Sequence, residues 1–358
     1  MPALPDAPRI LVLRALVLGD TLCAVPALRA IRRAWPRAHI ALLGLPASRE
    51  VLSRLDCVDE WIAFPGWPGL PEQPPDVAAL PGFLAAMQAR QWDLAVQLHG
   101  SGQLTNPLVA LFGARQVAGF HAAGTAPPSP LHCAWPEQGH ETQRLLALCR
   151  HLGLPVDGDA LEFPLRPEDD AALRSAWPGW GDAGAYACVH AGAQLPSRRW
   201  PPARFAAVAQ GLHEAGLAVV LTGAASERAL VAELAGLLDA RGVPHVNLVG
   251  RTTLWSLGAL LKRARLLVCN DTGVSHIAAA LRVPSVVVSC GSDAARWAPP
   301  DHALHRVLAK PAPCRPCAHA DCPHGHACAL DLGVDEVLAA VHQQLHFENT
   351  PCLAACAS

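Results

Sequence analysis

The feature that most narrows what this chain can fold into is a pair of short, unbroken apolar runs, Ile10–Leu13 (ILVL) and Ile40–Leu43 (IALL), with one helical stripe between them. Such runs suit strands buried on both faces, as in a parallel sheet covered by helices on each side. Between them Leu22, Val25, Leu28 and Ile31 recur every third residue, marking the buried face of a helix. Strand, helix and strand in that order make a right-handed βαβ unit. Asp93–Leu98 (DLAVQL) extends the series and runs into the Gly-rich turn His99–Gly102.

The second half repeats the pattern: Tyr186–His190, Leu217–Leu221, Val246–Leu248, Leu266–Cys269 and Ser285–Ser289 read as strands separated by helical segments. A chain of 358 residues is too long for one ordinary core. The Pro-, Gly- and Trp-rich stretch Ala176–Gly184 reads as the linker. The expected organisation is α/β, with doubly wound domains over residues 1–175 and 176–345 and a frayed tail over 346–358. Val334–Leu345 is the last amphipathic helix. Two such domains facing one another would place a ligand crevice at the carboxyl ends of both sheets.

A net charge of −2 leaves no broad basic surface for duplex nucleic acid. The opening MPALPDAPRI has neither the basic start nor the apolar core of a secretory signal. No apolar run reaches the roughly 20 residues a spanning helix needs, so the cytoplasm is the expected compartment. Cysteines such as Cys188, Cys269 and Cys290 lie inside apolar runs, where a reduced thiol acts as a small hydrophobe.

Three segments carry candidate chemistry. Leu18-Gly19-Asp20-Thr21 joins the first strand to the first helix. Asp20 there either takes a proton from a hydroxyl in the crevice or simply caps the helix. Asn270-Asp271-Thr272-Gly273-Val274-Ser275-His276 follows the strand LLVC. A helix N-terminus offers free N–H groups and partial positive charge to a diphosphate, and Gly273 permits close approach. The alternative is that Asp271 or Thr272 is a plain cap and His276 an ordinary half-buried histidine. Ser197-Arg198-Arg199-Trp200-Pro201-Pro202 supplies two guanidinium groups able to neutralise a departing diphosphate, unless both are merely solvated. Trp200 and Pro201 would open the next helix.

Cys314, Cys317, Cys322 and Cys328, with His319, His324 and His326 interleaved, have a spacing that four thiolates around a structural Zn²⁺ would use. Reduced thiols or a disulfide clip are the other readings. In each case the cluster braces a loop rather than catalysing.

RALVLGDTLCAVPALRAIRRAWP, HAGAQLPSRRWP and CNDTGVSHIAAALRVPSVVVSCG, in this order, resemble glycosyltransferase family 9, the bacterial heptosyltransferase family. The resemblance implies a GT-B fold, two Rossmann-like domains about a central cleft, with acceptor on the N-terminal side and nucleotide sugar on the C-terminal side. It implies inverting transfer without a catalytic metal from a nucleotide-diphosphate sugar such as ADP-heptose. The implied acceptor is a lipid-linked or core oligosaccharide of lipopolysaccharide, met in transient contact with the inner membrane surface.

Carried over by position, Asp20 matches the catalytic base and Arg198 stands where the family has a phosphate-contacting lysine, beside Arg199. Asp271, Thr272, Gly273 and His276 match the donor-binding motif. Glu227 matches an acid near the nucleotide ribose, although by itself it reads as a solvent-facing helix acid. Leu16 and Arg198 depart from the usual family residues, so the sugar or acceptor is open to difference.

Other functions are weaker. A nicotinamide dehydrogenase lacks its third glycine after Gly100-Ser101-Gly102. A GT-B nucleotide-sugar epimerase, or a catalytically silent sugar-nucleotide binder, would keep the donor motif. Phe64–Leu70 (FPGWPGL) reads either as an acceptor-flanking segment or as a packed loop.

Overall fold

The ILVL run forms β1 (Arg9–Leu13), in which Ile10, Val12 and Leu13 are completely buried. It lies between β2 (His39–Gly44) and β4 (Leu94–Gln97), with Ile10 paired in register to Ile40 on one side and Leu94 on the other. β3 (Glu60–Ala63), β5 (Gln116–His121) and β6 (His132–Ala134) complete a parallel sheet in the order β3-β2-β1-β4-β5-β6. In the computed structural model residues 2–346 are described.

The second sheet has β7 (Tyr186–His190), β8 (Ala218–Leu221), β9 (His245–Asn247), β10 (Leu266–Asn270), β11 (Ser285–Ser289) and β12 (His305–Ala309). Its order is β12-β11-β10-β7-β8-β9, again all parallel. Counted from its own first strand, this repeats the order of the first sheet. Both are doubly wound Rossmann-type arrangements. Each therefore has a switch point where successive connections leave in opposite directions, between β1 and β4 and between β7 and β10.

Helices cover the sheets as the apolar stripes require. In Leu18–Ala34 the predicted stripe of Leu22, Val25, Leu28 and Ile31 is buried. That helix packs on Glu141–His151. In the second unit, Trp200, Phe205, Val208 and Leu212 join strand residues such as Val189, Val219 and Val268 in one core.

The units divide between Pro164 and Leu165, ahead of the boundary expected at 175/176. Ala176–Gly184 is not an extended linker. It is the end of the helix Pro167–Ala176 followed by the 3₁₀ turn Pro178–Asp182, and Trp180 is buried there with its Nε1–H donating to the Tyr186 hydroxyl at 3.2 Å. A buried indole explains why Pro, Gly and Trp mark packing at this point. Of the expected tail, 347–358 lies outside the described residues. β3, β5, β6 and β12 escape sequence reading because they are short or only partly buried, and lack an unbroken apolar run.

Candidate active site

At the carboxyl end of β1 the chain places Arg14, a guanidinium with no exposed surface. Its Nη1 donates to Leu98 O at 2.7 Å, just past β4, and its Nε and Nη2 donate to Asp20 O at 3.3 and 3.1 Å. Nη2 also meets Glu141 Oε1 at 2.9 Å and lies 3.6 Å from Asp20 Oδ1. Glu141 is fully buried at the first residue of its helix, where the positive helix end favours a carboxylate. Buried Glu141 and part-exposed Asp20 thus share one buried cation, and the arrangement fixes where Asp20 stands.

Asp20 is not the cap of the helix Leu18–Ala34. Val17 holds that place without a side-chain bond, and Asp20 sits in the first turn. Its side chain keeps 17% of its surface open, in contrast to Arg14 and Glu141. A carboxylate held rigidly but left accessible at a switch-point edge can receive a proton from a bound hydroxyl.

Beside it, Ala15 N–H donates to His99 Nδ1 at 3.3 Å. An imidazole nitrogen that accepts is unprotonated, so the ring proton lies on Nε2. Nε2 meets Glu72 Oε1 at 3.2 Å. Burial alone would raise the Glu72 carboxyl, but hydrogen bonding by His99 and its own backbone N–H outweigh that and hold it below the usual range. Neither Arg14 nor the His99–Glu72 pair was singled out from sequence. The available signal was a lone arginine directly after ILVL and a histidine directly after DLAVQL.

In the second unit, Asn270 closes β10. Its Nδ2 donates to Ala191 O at 2.7 Å, and its Oδ1 accepts from Trp200 N–H at 3.0 Å. One buried amide therefore brings the HAGA turn after β7, the SRRWP segment and the NDTG turn to the same sheet edge. Trp200 and Pro201 precede the helix Pro202–Glu214, as expected.

Asp271 accepts from the Ser292 hydroxyl, so it is neither a cap nor a solvated acid. Thr272 is the N-cap of the helix Gly273–Leu281 and makes no side-chain capping bond. The helix thus presents its N-terminus without an internal anion. His276 is 4% exposed rather than half-buried, and its ring stands edge-on to Trp297 at 6.3 Å.

Arg198 donates from Nη2 to Cys317 O at 3.1 Å, while its Nε is buried without a partner. Arg199 donates from Nε to Ala193 O at 2.9 Å. Glu227 is not solvent-facing. Its side chain is 13% exposed, its Oε2 accepts from Ala224 N–H at 2.7 Å and lies 3.7 Å from His190 Nε2. Burial lowers the His190 pKa and Glu227 opposes the shift. The carboxylate fills the space a side chain at Gly192 would need, so glycine there leaves room for Glu227 in this position.

Cys314, Cys322 and Cys317 stand near enough to Cys328 to add to the rise that burial gives its thiol pKa. Among the described residues no group of three or more His, Cys, Asp or Glu side chains has the arrangement to hold an ion, and Cys314, Cys317, Cys322 and Cys328 are all free thiols. Cys328 is drawn into the core, and Cys322 Sγ accepts from His326 N–H at 3.2 Å. The loop is braced by hydrogen bonds onto backbone carbonyls. Ser197 Oγ donates to His319 O at 2.6 Å, Cys317 N–H to Gly291 O at 2.6 Å, and Arg315 Nη2 to Ser289 O at 2.8 Å.

The segment Phe64–Leu70 is a packed loop, with Phe64 and Leu70 buried in the first core. It leads directly into Glu72.

Against known proteins, the model of glycosyltransferase family 9 (heptosyltransferase) matches residues 83–328. A lipopolysaccharide heptosyltransferase 3 of Escherichia coli is 25% identical over 289 residues, covering 78% of this chain and 83% of that protein. The crystal structure of the family 9 glycosyl transferase from Veillonella parvula superposes with a TM-score of 0.79 at 20% identity, over 96% of this chain and 98% of the other. E. coli ADP-heptose lps heptosyltransferase II gives 0.70 at 21% identity, over 94% and 98%. These likenesses give the fold as GT-B.

Proposed function

Since the chain belongs to glycosyltransferase family 9, the heptosyltransferase family, we propose that it moves a heptose or related sugar from an ADP-linked donor to a hydroxyl of the lipopolysaccharide core. The named relatives support this choice of donor and acceptor. The observation that carries the reading is Asp20, an accessible carboxylate fixed by the buried Arg14 at the β1 edge.

The chemistry divides by unit. Asp20 takes the acceptor hydroxyl proton as the oxygen attacks the anomeric carbon, and the bond from that carbon to the diphosphate breaks with its electron pair on phosphate. Attack opposite the leaving group inverts the anomeric centre. The Thr272–Gly273 helix end and Arg198 meet the charge that grows on the diphosphate, so no catalytic metal is assigned. Glu227 lies by the nucleotide ribose, with His276 and Asp271 shaping the donor pocket and Arg199 securing the loop beside it. The cysteine loop supports Arg198 through Cys317 O.

Among the described residues no helix is long and apolar enough to cross a membrane. The enzyme works in the cytoplasm and meets its lipid-linked acceptor at the inner membrane surface. Incubation with ADP-heptose and a heptose-deficient core glycolipid tests the reading. Transfer with an inverted anomeric linkage is expected, and EDTA does not reduce it. Isomerised donor without acceptor would identify an epimerase, and an unaltered donor with both substrates present would leave only a binding protein.

A further inference from the structure

The pair of buried His99 and part-buried Glu72 stands outside the three motifs that define the family likeness, yet shares the switch-point edge with Asp20. Arg14 bonds both Asp20 O and Leu98 O, and the next residue, Ala15, donates to His99 Nδ1. Asp20 and His99 therefore flank one two-residue step of backbone. The His99 backbone is itself clamped, because Gln97 Nε2 and Thr105 Oγ1 donate to His99 O at 2.5 and 3.1 Å.

Glu72 reaches this edge from a pinned loop. Gln73 Nε2 donates to Phe64 O at 2.9 Å, and Asp76 N–H donates to Pro65 O at 3.0 Å. Gly66 has φ +81° and lies so close to Pro74 O that a Cβ would come within 2.6 Å of it. Glu72 Oε1 is satisfied by His99, but Oε2 is buried with no hydrogen-bond partner. A buried carboxylate oxygen left unmatched is costly, so a fold that holds it in place points to a group that arrives from outside.

Resting on the transferase reading, we propose that Glu72 is a specificity residue that accepts a hydrogen bond from a hydroxyl of the acceptor sugar, with His99 as the residue that positions it. A carboxylate selects a neutral hydroxyl donor and repels a carboxylate or phosphate at that point on the glycan. The pair thereby chooses which ring of an anionic core is presented to Asp20.

Steady-state kinetics with ADP-heptose and the core glycolipid test this through Glu72→Gln, His99→Ala and His99→Gln. Glu72→Gln is expected to raise the acceptor KM by about 10-fold or more, with donor KM and ADP affinity unchanged. His99→Ala is expected to do the same, and His99→Gln, which retains an N–H donor, to recover part of the loss. Unchanged ADP binding by calorimetry shows that each variant is folded. An acceptor KM within twofold of wild type in Glu72→Gln would overturn the inference, since Oε2 would then hold only water. Absence of transfer by the wild-type enzyme would instead overturn the transferase reading, so the two failures are distinct.

Discussion

Arg14 Nη2 lies 2.9 Å from Glu141 Oε1 with neither side chain exposed, and the same guanidinium grips the backbone carbonyl of Asp20. Removing one member of a buried pair leaves an uncompensated charge, which costs about 3–5 kcal/mol. Glu141→Ala is therefore expected to lower the thermal midpoint by several degrees and reduce kcat. Arg14→Lys keeps the charge but loses the fork that spans Asp20, Leu98 and Glu141. Its kcat is expected to fall roughly 10-fold or more with donor KM unaltered. Thermal melts and kinetics on both variants check this.

Gly192 and Glu227 make a second contact that substitution can probe. A methyl group at position 192 would enter the space of the Glu227 carboxylate. Gly192→Ala is expected to push Glu227 away from Ala224 N–H and His190 and weaken ADP binding by about 10-fold. Calorimetric titration with ADP measures it.

His305 gives a pH dependence with a definite sign. Burial pushes its pKa down to about 4, and its Nδ1 stands 2.8 Å from Ser285 Oγ. Between that value and the ordinary histidine range the unfolded chain binds a proton that the folded chain does not. Stability is therefore complete above pH of about 6.5 and declines as pH falls toward 4, by on the order of 3 kcal/mol from this group. Urea unfolding at a series of pH values should show the decline, and His305→Asn should flatten it.

The 314–328 loop is held by hydrogen bonds to Ser197, Gly291 and Ser289. Treatment with a strong chelator followed by dialysis is expected to leave both the thermal midpoint and activity unchanged. Arg315→Ala, which removes the bonds to Ser289 O and Lys310 O at 2.8 and 3.1 Å, is expected to lower the midpoint and raise donor KM.

Much of the scaffold was legible because central parallel strands must be apolar on both faces. ILVL, IALL, YACVH, LLVC and SVVVS each became strands. Edge strands such as β3 and β12 were hidden because a half-covered strand tolerates Glu60 or Arg306. The linker was misplaced because Trp180 packs inward, and composition does not say which way an indole turns. Local motifs pointed to Asp20 and the NDTG turn. Arg14 with Glu141, and His99 with Glu72, join residues far apart in sequence, and spacing rules carry no information about such pairs. The cysteine spacing left a metal, reduced thiols and a disulfide clip open, and it does not reveal that Cys328 turns into the core.

The account stands or falls on Asp20 as the base. Single-turnover transfer by Asp20→Asn, with ADP affinity measured on the same preparation, tests it most directly. The expected result is a loss of about 10²-fold or more in rate with ADP binding intact. A rate within a few-fold of wild type would contradict it.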